Sequence, residues 1–350
     1  MNYNNIEENR HLVIMAGGIG SRFWPISTPE CPKQFVDVLG CGKSLLQMTI
    51  ERFKGIVLDK NIWVVTSKDY ENLIYEQLPN VPKENILFEP FMRNTAPCIA
   101  YVGNKIKKRC NGDAEIIVSP ADHSVINTPK FQKVINKALN FIETNDSIVT
   151  IGITPTSPHT GYGYIAAQQD ESEIKKVISF KEKPSYEVAL KYLNDGNYYW
   201  NSGLFLWKLS TLLNSFKEYA NDIATIFENI AEEFDGDNEE KAIHDAYSKV
   251  PKISVDYAIM EKAQNIYTLP SEFGWSDLGT WSSLRDYLPK DKNGNAAIGD
   301  VDFINSNNCT AHIKNNNRVV VKDLNDTFII DSGNGVKYYK LNENGNLEII

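Results

Sequence analysis

Short apolar runs alternate with amphipathic stretches from residue 11 to about residue 153, and this alternation constrains the fold more than any other feature of the chain. The apolar runs have the length of β-strands, whereas the stretches between them have the periodicity of helices. Such alternation predicts a mostly parallel sheet with helices on both faces. The predicted strands are residues 11–15, 61–66, 85–88, 115–119 and 147–153, and the predicted helices are residues 44–53, 69–78, 95–110 and 130–144.

The rest of the chain has two different patterns. Residues 154 to about 285 mix strands with helices, and no linker-like composition separates them from the first segment. After residues 291–295 the pattern changes to short β-rich runs separated by Asn, Asp and Gly. We therefore predict one α/β domain over residues 1–290 and a small β domain over residues 291–350. The predicted strands here are residues 161–165, 177–180, 199–207, 318–322, 327–330 and 336–341, and the predicted helices are residues 185–193, 209–233 and 255–264.

Composition limits the partners that the chain can have. At 350 residues and 42% apolar content, it can bury a large core. Its net charge of −9 gives no bulk attraction to nucleic acid or to anionic lipid. Five scattered cysteines without a CxxC pair argue against a disulfide framework and against a zinc site. With a polar start and no apolar run of about 20 residues, we expect a cytoplasmic protein that binds neither membrane nor nucleic acid.

Residues 16–22, reading Ala-Gly-Gly-Ile-Gly-Ser-Arg, directly follow the first predicted strand. Glycines at the end of a strand leave backbone N–H groups uncovered, and such groups bind anions. Arg22 and Lys33 supply two cations nearby, on a segment stiffened by three prolines. The loop therefore predicts a phosphate-binding site, with a glycine-rich turn that carries surface Arg and Lys side chains as the structural alternative.

Two common phosphate motifs do not explain this region. A dinucleotide fingerprint needs a small third residue for helix packing, but Arg22 and Phe23 stand where that residue is required. The sequence Gly42-Lys43-Ser44 ends like a Walker A loop, yet Asp37 occupies the upstream glycine position and no strand leads into it. We discard both interpretations.

Two aspartates are candidate metal ligands. Asp122 follows a predicted strand, and Asp277 lies between Trp275 and Leu278. Carboxylate oxygens of this type bind Mg²⁺ together with substrate phosphates. A helix cap or a turn would explain either aspartate alone, so the residues themselves leave both interpretations open.

Residues 93–97, reading Arg-Asn-Thr-Ala-Pro, begin a predicted helix. Asn94 or Thr95 is a suitable N-cap, and Pro97 suits the first turn. Capping explains Thr95 and Pro97, but it gives no reason for Arg93.

Six motifs, in this order, resemble those of the sugar-1-phosphate nucleotidylyltransferases, and within that family the branch that transfers a guanylyl group to mannose-1-phosphate. One departure is mild, because Ser21-Arg22-Phe23 stands where Thr-Arg-Leu is common in the family and the cation is retained. The motifs are residues 17–35, 89–97, 119–123, 180–184, 200–203 and 275–281.

The resemblance implies a fold and a reaction. The fold would be a Rossmann-like, mostly parallel but mixed sheet flanked by helices, with a β-helix-like C-terminal appendage. The reaction would be transfer of GMP from GTP to mannose-1-phosphate with release of pyrophosphate, with Mg²⁺ as cofactor and the chain as a homodimer. Two alternatives stay open: a different nucleotide and sugar phosphate, or a non-catalytic regulatory homologue that binds a sugar nucleotide.

The resemblance also implies roles for individual residues. The implied catalytic residues are Arg22, Lys33 and Lys183. The implied nucleotide-binding residues are Ala16, Gly17, Gly18, Gly20, Ser21, Arg93, Asn94, Thr95 and Asp122. The implied sugar-binding residues are Gly163, Glu182 and Asn201, and the implied metal ligands are Asp122 and Asp277.

Overall fold

The computed structural model describes residues 8–18, 21–314, 318–342 and 345–350. The chain forms two compact units. The first unit comprises Met1–Gly17, Ile50–Ala121 and Val125–Trp275, and the second comprises Gly18–Thr49, Asp122–Ser124 and Ser276–Ile350. The two units are therefore not separated at residue 290. The domain boundary expected there stays a prediction.

The strands and helices are numbered in chain order. The strands are β1 (Arg10–Met15), β2 (Ile62–Ser67), β3 (Ile86–Glu89), β4 (Glu115–Pro120), β5 (Ser124–Val125), β6 (Ile148–Ile153), β7 (Tyr164–Ala167), β8 (Lys175–Lys181), β9 (Tyr198–Lys208), β10 (Ile266–Ser271), β11 (Trp275–Ser276), β12 (Ala296–Ile298), β13 (Val301–Ile304), β14 (Thr310–His312), β15 (Val319–Lys322), β16 (Phe328–Asp331), β17 (Val336–Leu341) and β18 (Leu347–Ile349). The helices are α1 (Leu45–Arg52), α2 (Glu71–Gln77), α3 (Thr95–Arg109), α4 (Thr128–Thr144), α5 (Tyr186–Asp195), α6 (Leu209–Tyr219), α7 (Asn221–Asn229), α8 (Glu239–Lys249) and α9 (Trp281–Tyr287).

The first unit is built on one large mixed sheet with the strand order β3-β2-β1-β4-β9-β6-β10-β8-β7. Four neighbouring strands are parallel, namely β3, β2, β1 and β4. Each is a buried apolar run, and helices connect them, as is typical of parallel sheets. Strand β9 enters antiparallel between β4 and β6, and β10 then runs parallel to β6. The predicted mixed α/β class is confirmed. Met15 of β1 pairs with Pro120 of β4, so the carboxyl ends of these strands lie side by side.

Two predicted helices of the first unit are wrong in their extent. The helix expected over residues 209–233 is broken at Ala220, where the backbone adopts φ −146° and ψ 54°. Helices α6 and α7 on either side each bury their own apolar face, so a bend serves packing better than one straight helix. The helix expected over residues 255–264 is instead a π-helical turn at Asp256–Met260.

The second unit contains the β-rich C-terminal region that the sequence predicts. Strands β12, β14 and β16 form one parallel ladder, and β13 and β15 form another. One coil is 18 residues long, since Val301 pairs with Val319 and Thr310 pairs with Phe328. This parallel stacking of successive coils is the β-helix-like arrangement. Strands β17 and β18 continue the sheet antiparallel.

The hydrophobic core of the second unit joins distant parts of the sequence. Buried side chains from residues 23–45 pack with side chains of α9 and of the C-terminal strands, among them Phe23, Trp281 and Phe328. The early loop segment therefore owes its conformation to residues about 250 positions later, a long-range dependence that local sequence patterns do not encode. Among the described residues, every helix is too short or too polar to cross a lipid bilayer.

Candidate active site

The glycine-rich loop leaves the first unit at the carboxyl end of β1. The Ala16 N–H donates to the Val65 carbonyl at 2.8 Å, and the Ala16 carbonyl accepts from the Thr66 hydroxyl at 3.0 Å. Gly17 and Gly18 are exposed, and Gly18 has φ +101°, a conformation that favours glycine. Both backbone polar groups of Ala16 are thus engaged within the sheet, whereas Gly17 and Gly18 are exposed residues and the Gly18 carbonyl accepts from Gln34 Nε2 at 3.3 Å.

The remaining predicted members of this loop are described in part. Gly20 lies outside the described residues. Ser21 begins a short 3-10 turn, Ser21–Phe23, but its side chain is not among those described. Arg22 is exposed and forms no ion pair with any residue in the described ranges.

Lys33 and the two aspartates lie together in the second unit. Lys33 is 4% exposed and its Nζ donates to Asp122 Oδ2 at 3.0 Å. The same ammonium donates to the main-chain carbonyl of Asp277 at 2.5 Å. A buried ammonium is costly unless it is paired, so these two acceptors explain how Lys33 can be buried. Three residues that the sequence analysis named as candidates thus lie in one cluster, and their roles stay a prediction.

The charge of Lys33 also acts on Asp122. Burial would raise the pKa of this carboxyl, but the nearby Lys33 charge, His123 and the Lys33 hydrogen bond outweigh burial. The Asp122 pKa therefore lies below its ordinary value. The side chain is 39% exposed, so one part of the carboxylate can meet a ligand while the other faces Lys33.

Asp277 is held by a tight turn. Its Oδ1 accepts the Gly279 N–H at 3.0 Å, and Leu278 between them has φ +42°. A Cβ on Gly279 would stand 2.8 Å from Asp277 Oδ2, so a larger residue here would push the Asp277 carboxylate aside. The turn therefore fixes the carboxylate at a backbone position where a larger residue would displace it.

The donor set of Asp122 and Asp277 fits Mg²⁺. This ion prefers oxygen ligands and is commonly held by one or two carboxylates together with substrate phosphates. Among the described residues, no group of three or more His, Cys, Asp or Glu side chains could hold a metal ion. Lys33 bonds to the Asp122 carboxylate and to the Asp277 main chain, and a pair of aspartates fits a metal site that the substrate completes.

The loop at residues 93–95 belongs to the first unit, and each of its side chains has a structural partner. Asn94 caps α3 by accepting the Thr95 N–H at 2.8 Å, as predicted, and has φ +68°. The Thr95 hydroxyl oxygen accepts the Val255 N–H at 2.9 Å. Arg93 Nε donates to the Tyr247 carbonyl at 3.0 Å. Their roles at the nucleotide stay a proposal.

Glu89 is a buried carboxyl that lies beside Gly17. The sequence analysis assigned it no role. Tyr247 donates its hydroxyl to Glu89 Oε1 at 3.0 Å, and a Cβ on Gly17 would lie 3.9 Å from Oε2. Burial raises the Glu89 pKa to about 7, and the Tyr247 hydrogen bond only partly opposes this. The sequence feature that could have indicated this residue is its position as a glutamate at the end of a short apolar strand of four residues.

The predicted sugar-binding residues come together in the first unit on three neighbouring strands. Gly163 precedes β7, Glu182 follows β8, and Asn201 lies in β9. The Asn201 N–H donates to the Gly163 carbonyl at 2.8 Å, and a Cβ on Gly163 would lie 3.0 Å from Glu182 Oε2. Lys183 Nζ lies 3.3 Å from Glu182 Oε1 and is largely exposed. These four residues form a carboxylate, amide and ammonium cluster that is packed closely around Gly163.

Asp256 completes this cluster, although the sequence interpretation missed it. Its Oδ1 accepts from Asn201 Nδ2 at 2.8 Å. Burial raises the Asp256 pKa, the Asn201 hydrogen bond partly opposes it, and the Glu182 charge adds to the rise. An aspartate at the start of a predicted helix is explained by helix capping. Nothing in the local sequence therefore indicates a functional role for Asp256.

Comparison with known proteins identifies the family. The family described as nucleotidyl transferase matches residues 11–294. The alginate biosynthesis protein AlgA of Pseudomonas putida is 39% identical over 306 residues, which cover 86% of this chain and 62% of AlgA. The mannose-1-phosphate guanylyltransferase of Salmonella montevideo is 37% identical over 326 residues, which cover 89% of this chain and 67% of that enzyme. The chain thus spans about two thirds of the length of these relatives.

Solved structures agree with the fold. A structure from Thermus thermophilus, described as a mannose-1-phosphate geranyltransferase, is 28% identical, covers 94% of both chains and has a TM-score of 0.83. A structure described as a mannose-6-phosphate isomerase from Helicobacter pylori has a TM-score of 0.60 at 24% identity, over 76% of this chain and 99% of that one, and bears on the fold alone. Since the family match covers most of the sequence, the chain belongs to the nucleotidyl transferase family.

Proposed function

We propose that the chain transfers GMP from GTP to mannose-1-phosphate, forming GDP-mannose and releasing pyrophosphate. The relatives named mannose-1-phosphate guanylyltransferase support this choice of substrates. The observation that carries the proposal is the cluster in which the buried Lys33 ammonium bonds to the Asp122 carboxylate and to the main-chain carbonyl of Asp277. These groups are the ones that phosphates and a divalent cation require.

The chemistry needs no general base. A phosphate monoester has its second pKa near ~6, so mannose-1-phosphate is largely a dianion at neutral pH and is already nucleophilic. The obstacle is the repulsion between two anions and the charge that develops on pyrophosphate as it leaves. The protein must therefore align the two phosphates and neutralise charge, as in other phosphoryl transfers.

Asp122 and Asp277 would hold Mg²⁺, which when bound would act as a Lewis acid on the phosphate oxygens. The lowered pKa of Asp122 keeps this carboxylate ionised at neutral pH, so it needs no proton release before it binds a cation. Lys33 and Arg22 would bind the triphosphate, together with the backbone N–H of Gly18.

The second substrate would be held by the cluster in the first unit. Lys183 would bind the sugar phosphate, since its ammonium is exposed and lies beside Glu182. Glu182 and Asn201 would bind sugar hydroxyls, and Gly163 lets these two side chains lie close to the backbone of β7. Arg93 would contact the nucleotide, together with Asn94 and Thr95 of the same loop. A cytoplasmic homodimer stays the expectation for the assembled enzyme.

A substrate panel tests the proposal. The purified chain is incubated with GTP, ATP, UTP or dTTP, each with mannose-1-phosphate or glucose-1-phosphate, and pyrophosphate release is measured with and without Mg²⁺. We expect the fastest release from GTP with mannose-1-phosphate, and none without a divalent cation. Preference for another pair would replace the proposed substrates, and a chain that binds GDP-mannose without turning over any pair would favour the regulatory alternative.

A further inference from the structure

Asp256 stands at a junction between two parts of the candidate site. It begins the π-helical turn Asp256–Met260, and such turns frequently mark functional positions. Its carboxylate accepts from Asn201, whereas the backbone just before it contacts the loop at residues 93–96. One short segment therefore links the residues proposed for the sugar with those proposed for the nucleotide.

The amide of Asn201 is fixed at both ends. Its Oδ1 accepts the Gly203 N–H at 3.1 Å, and its Nδ2 donates to Asp256 at 2.8 Å. A backbone N–H can only donate and a carboxylate can only accept, so exchange of the amide oxygen and nitrogen would break both bonds. One Nδ2 hydrogen and one Oδ1 lone pair are left for a ligand, in a single orientation.

The charge of Asp256 is expensive where it lies. Burial and the neighbouring Glu182 carboxylate both disfavour its ionised form, and Glu261 adds to the same effect. A neutral residue of similar shape would avoid this cost. A charged acceptor, however, makes a stronger hydrogen bond than a neutral one, and so holds the Asn201 amide more firmly.

The turn itself is anchored without the Asp256 side chain. The Ile253 N–H donates to the Arg93 carbonyl at 3.2 Å, and the Ala96 N–H donates to the Ile253 carbonyl at 3.2 Å. The Val255 N–H bonds to the Thr95 hydroxyl, as described above. Removal of the Asp256 carboxylate should therefore change the Asn201 amide more than it changes the path of the chain.

We propose that Asp256 is a positioning residue, which holds the Asn201 amide in the orientation that binds a hydroxyl group of the hexose phosphate. This inference rests on the proposed function, because it assigns Asn201 to the sugar. It predicts an effect on the sugar phosphate and none on the nucleoside triphosphate.

The first experiment compares Asp256→Ala, Asp256→Asn and the control Glu261→Ala, which removes an exposed carboxylate from the same segment. We expect the alanine variant to raise KM for mannose-1-phosphate about tenfold, the loss typical of a hydrogen bond to a charged group, with KM for GTP unchanged. The asparagine variant should recover most of this loss, because its carbonyl can still accept from Asn201. A wild-type KM in the alanine variant, or an equal change in the control, would overturn the proposal.

A double-mutant cycle separates positioning from a general structural effect. If Asp256 acts through Asn201, then Asn201→Ala and the double variant Asn201→Ala/Asp256→Ala should have the same KM for mannose-1-phosphate. Additive effects would mean that Asp256 acts by another route. Melting temperatures of all variants identify any that are merely unfolded, and the asparagine variant then carries the test.

Calorimetric titration of mannose-1-phosphate keeps the two proposals apart. If the wild-type chain binds mannose-1-phosphate but does not use GTP, the proposed function fails, and a weaker Kd in Asp256→Ala would still support positioning. If the wild type turns over GTP and mannose-1-phosphate while the alanine variant binds the sugar phosphate equally well, only the positioning role fails. A wild-type chain that binds no mannose-1-phosphate overturns both.

Discussion

The two carboxylate clusters of this chain are built in opposite ways. In the second unit, burial works to raise the Asp122 pKa, but the Lys33 ammonium outweighs it and the carboxyl stays acidic. In the first unit, burial raises the Asp256 pKa and the like charge of Glu182 adds to the rise, while the Asn201 hydrogen bond only partly opposes it. A carboxylate kept ionised by a lysine suits phosphate and metal chemistry. The Asp256 carboxylate, which pairs with an amide and not with a lysine, suits hydrogen bonds among neutral groups.

Removal of Lys33 tests this difference between the two clusters most strongly. Lys33→Ala leaves Asp122 without its cation and takes a charge donor from the triphosphate, so kcat should fall on the order of 10³-fold. Pyrophosphate release under saturating substrates measures it. Lys43→Ala is the matched control, since this exposed lysine belongs to the discarded Walker-like motif and should leave kcat unchanged. Equal loss in the two variants would mean that Lys33 has no special place in the reaction.

Asp277→Asn tests the metal side of the same cluster. The amide keeps the size of the side chain and its bond to the Gly279 N–H but removes the charge, so kcat should fall on the order of 10²-fold. The concentration of Mg²⁺ that gives half-maximal rate should rise, because a neutral amide binds the ion more weakly. Titration of Mg²⁺ into metal-depleted enzyme measures both quantities. A variant with lower kcat and the wild-type Mg²⁺ requirement would remove Asp277 from the metal site.

Glu89 extends the comparison to a third carboxyl that is desolvated like Asp256. Its folded pKa of about 7 lies above the ordinary 4.5, so the native state binds this proton more tightly than the unfolded state. The stabilisation is present below pH 4.5 and is lost as the pH rises through 7, a total of roughly 3 kcal/mol. Glu89→Gln should therefore gain in melting temperature over the wild type as the pH rises across this range.

Thermal unfolding at a series of pH values measures that difference. Glu84→Gln, which changes an exposed glutamate close by in sequence, should follow the wild-type curve. Parallel curves for Glu89→Gln and the wild type would show that the Glu89 carboxyl titrates normally.

The smallest expected effect is at Gly163. It tests whether this glycine lies beside the sugar phosphate. In Gly163→Ala the new methyl group would lie 3.0 Å from Glu182 Oε2, which is the far end of a flexible side chain and can move. We expect KM for mannose-1-phosphate to rise about threefold to tenfold, with KM for GTP as the internal control. A rise in KM for GTP instead would place the glycine beside the other substrate.

Sequence reasoning located most of the central sheet because its strands are continuous apolar runs. The boundaries of β1 to β4 and β6 fall within two residues of those predicted. It missed β10, where Pro270 breaks the strand pattern, and it missed the break at Ala220, since alanine favours a helix. It also missed β12 to β14, whose stability depends on stacking against later coils and not on local propensity.

Motif resemblance, and not residue type alone, selected the candidate site residues, since a cap or a turn would explain either aspartate. Lys33, Asp122 and Asp277 were each identified from their motifs, and the fold brings them into one cluster. The fold was needed to find Asp256 and Glu89, because burial and a partner from a distant segment distinguish them from common acidic residues. No local pattern places Asn201 next to residue 256, which lies 55 positions later in the sequence.

The most direct test follows the oxygen atoms of the reaction. Mannose-1-phosphate labelled with oxygen-18 on its phosphate is mixed with GTP, Mg²⁺ and the purified chain, and the products are weighed by mass spectrometry. In-line attack by the sugar phosphate on the α-phosphorus predicts GDP-mannose that keeps every labelled oxygen, and unlabelled pyrophosphate. Labelled pyrophosphate, or the absence of GDP-mannose, would contradict the proposed transfer.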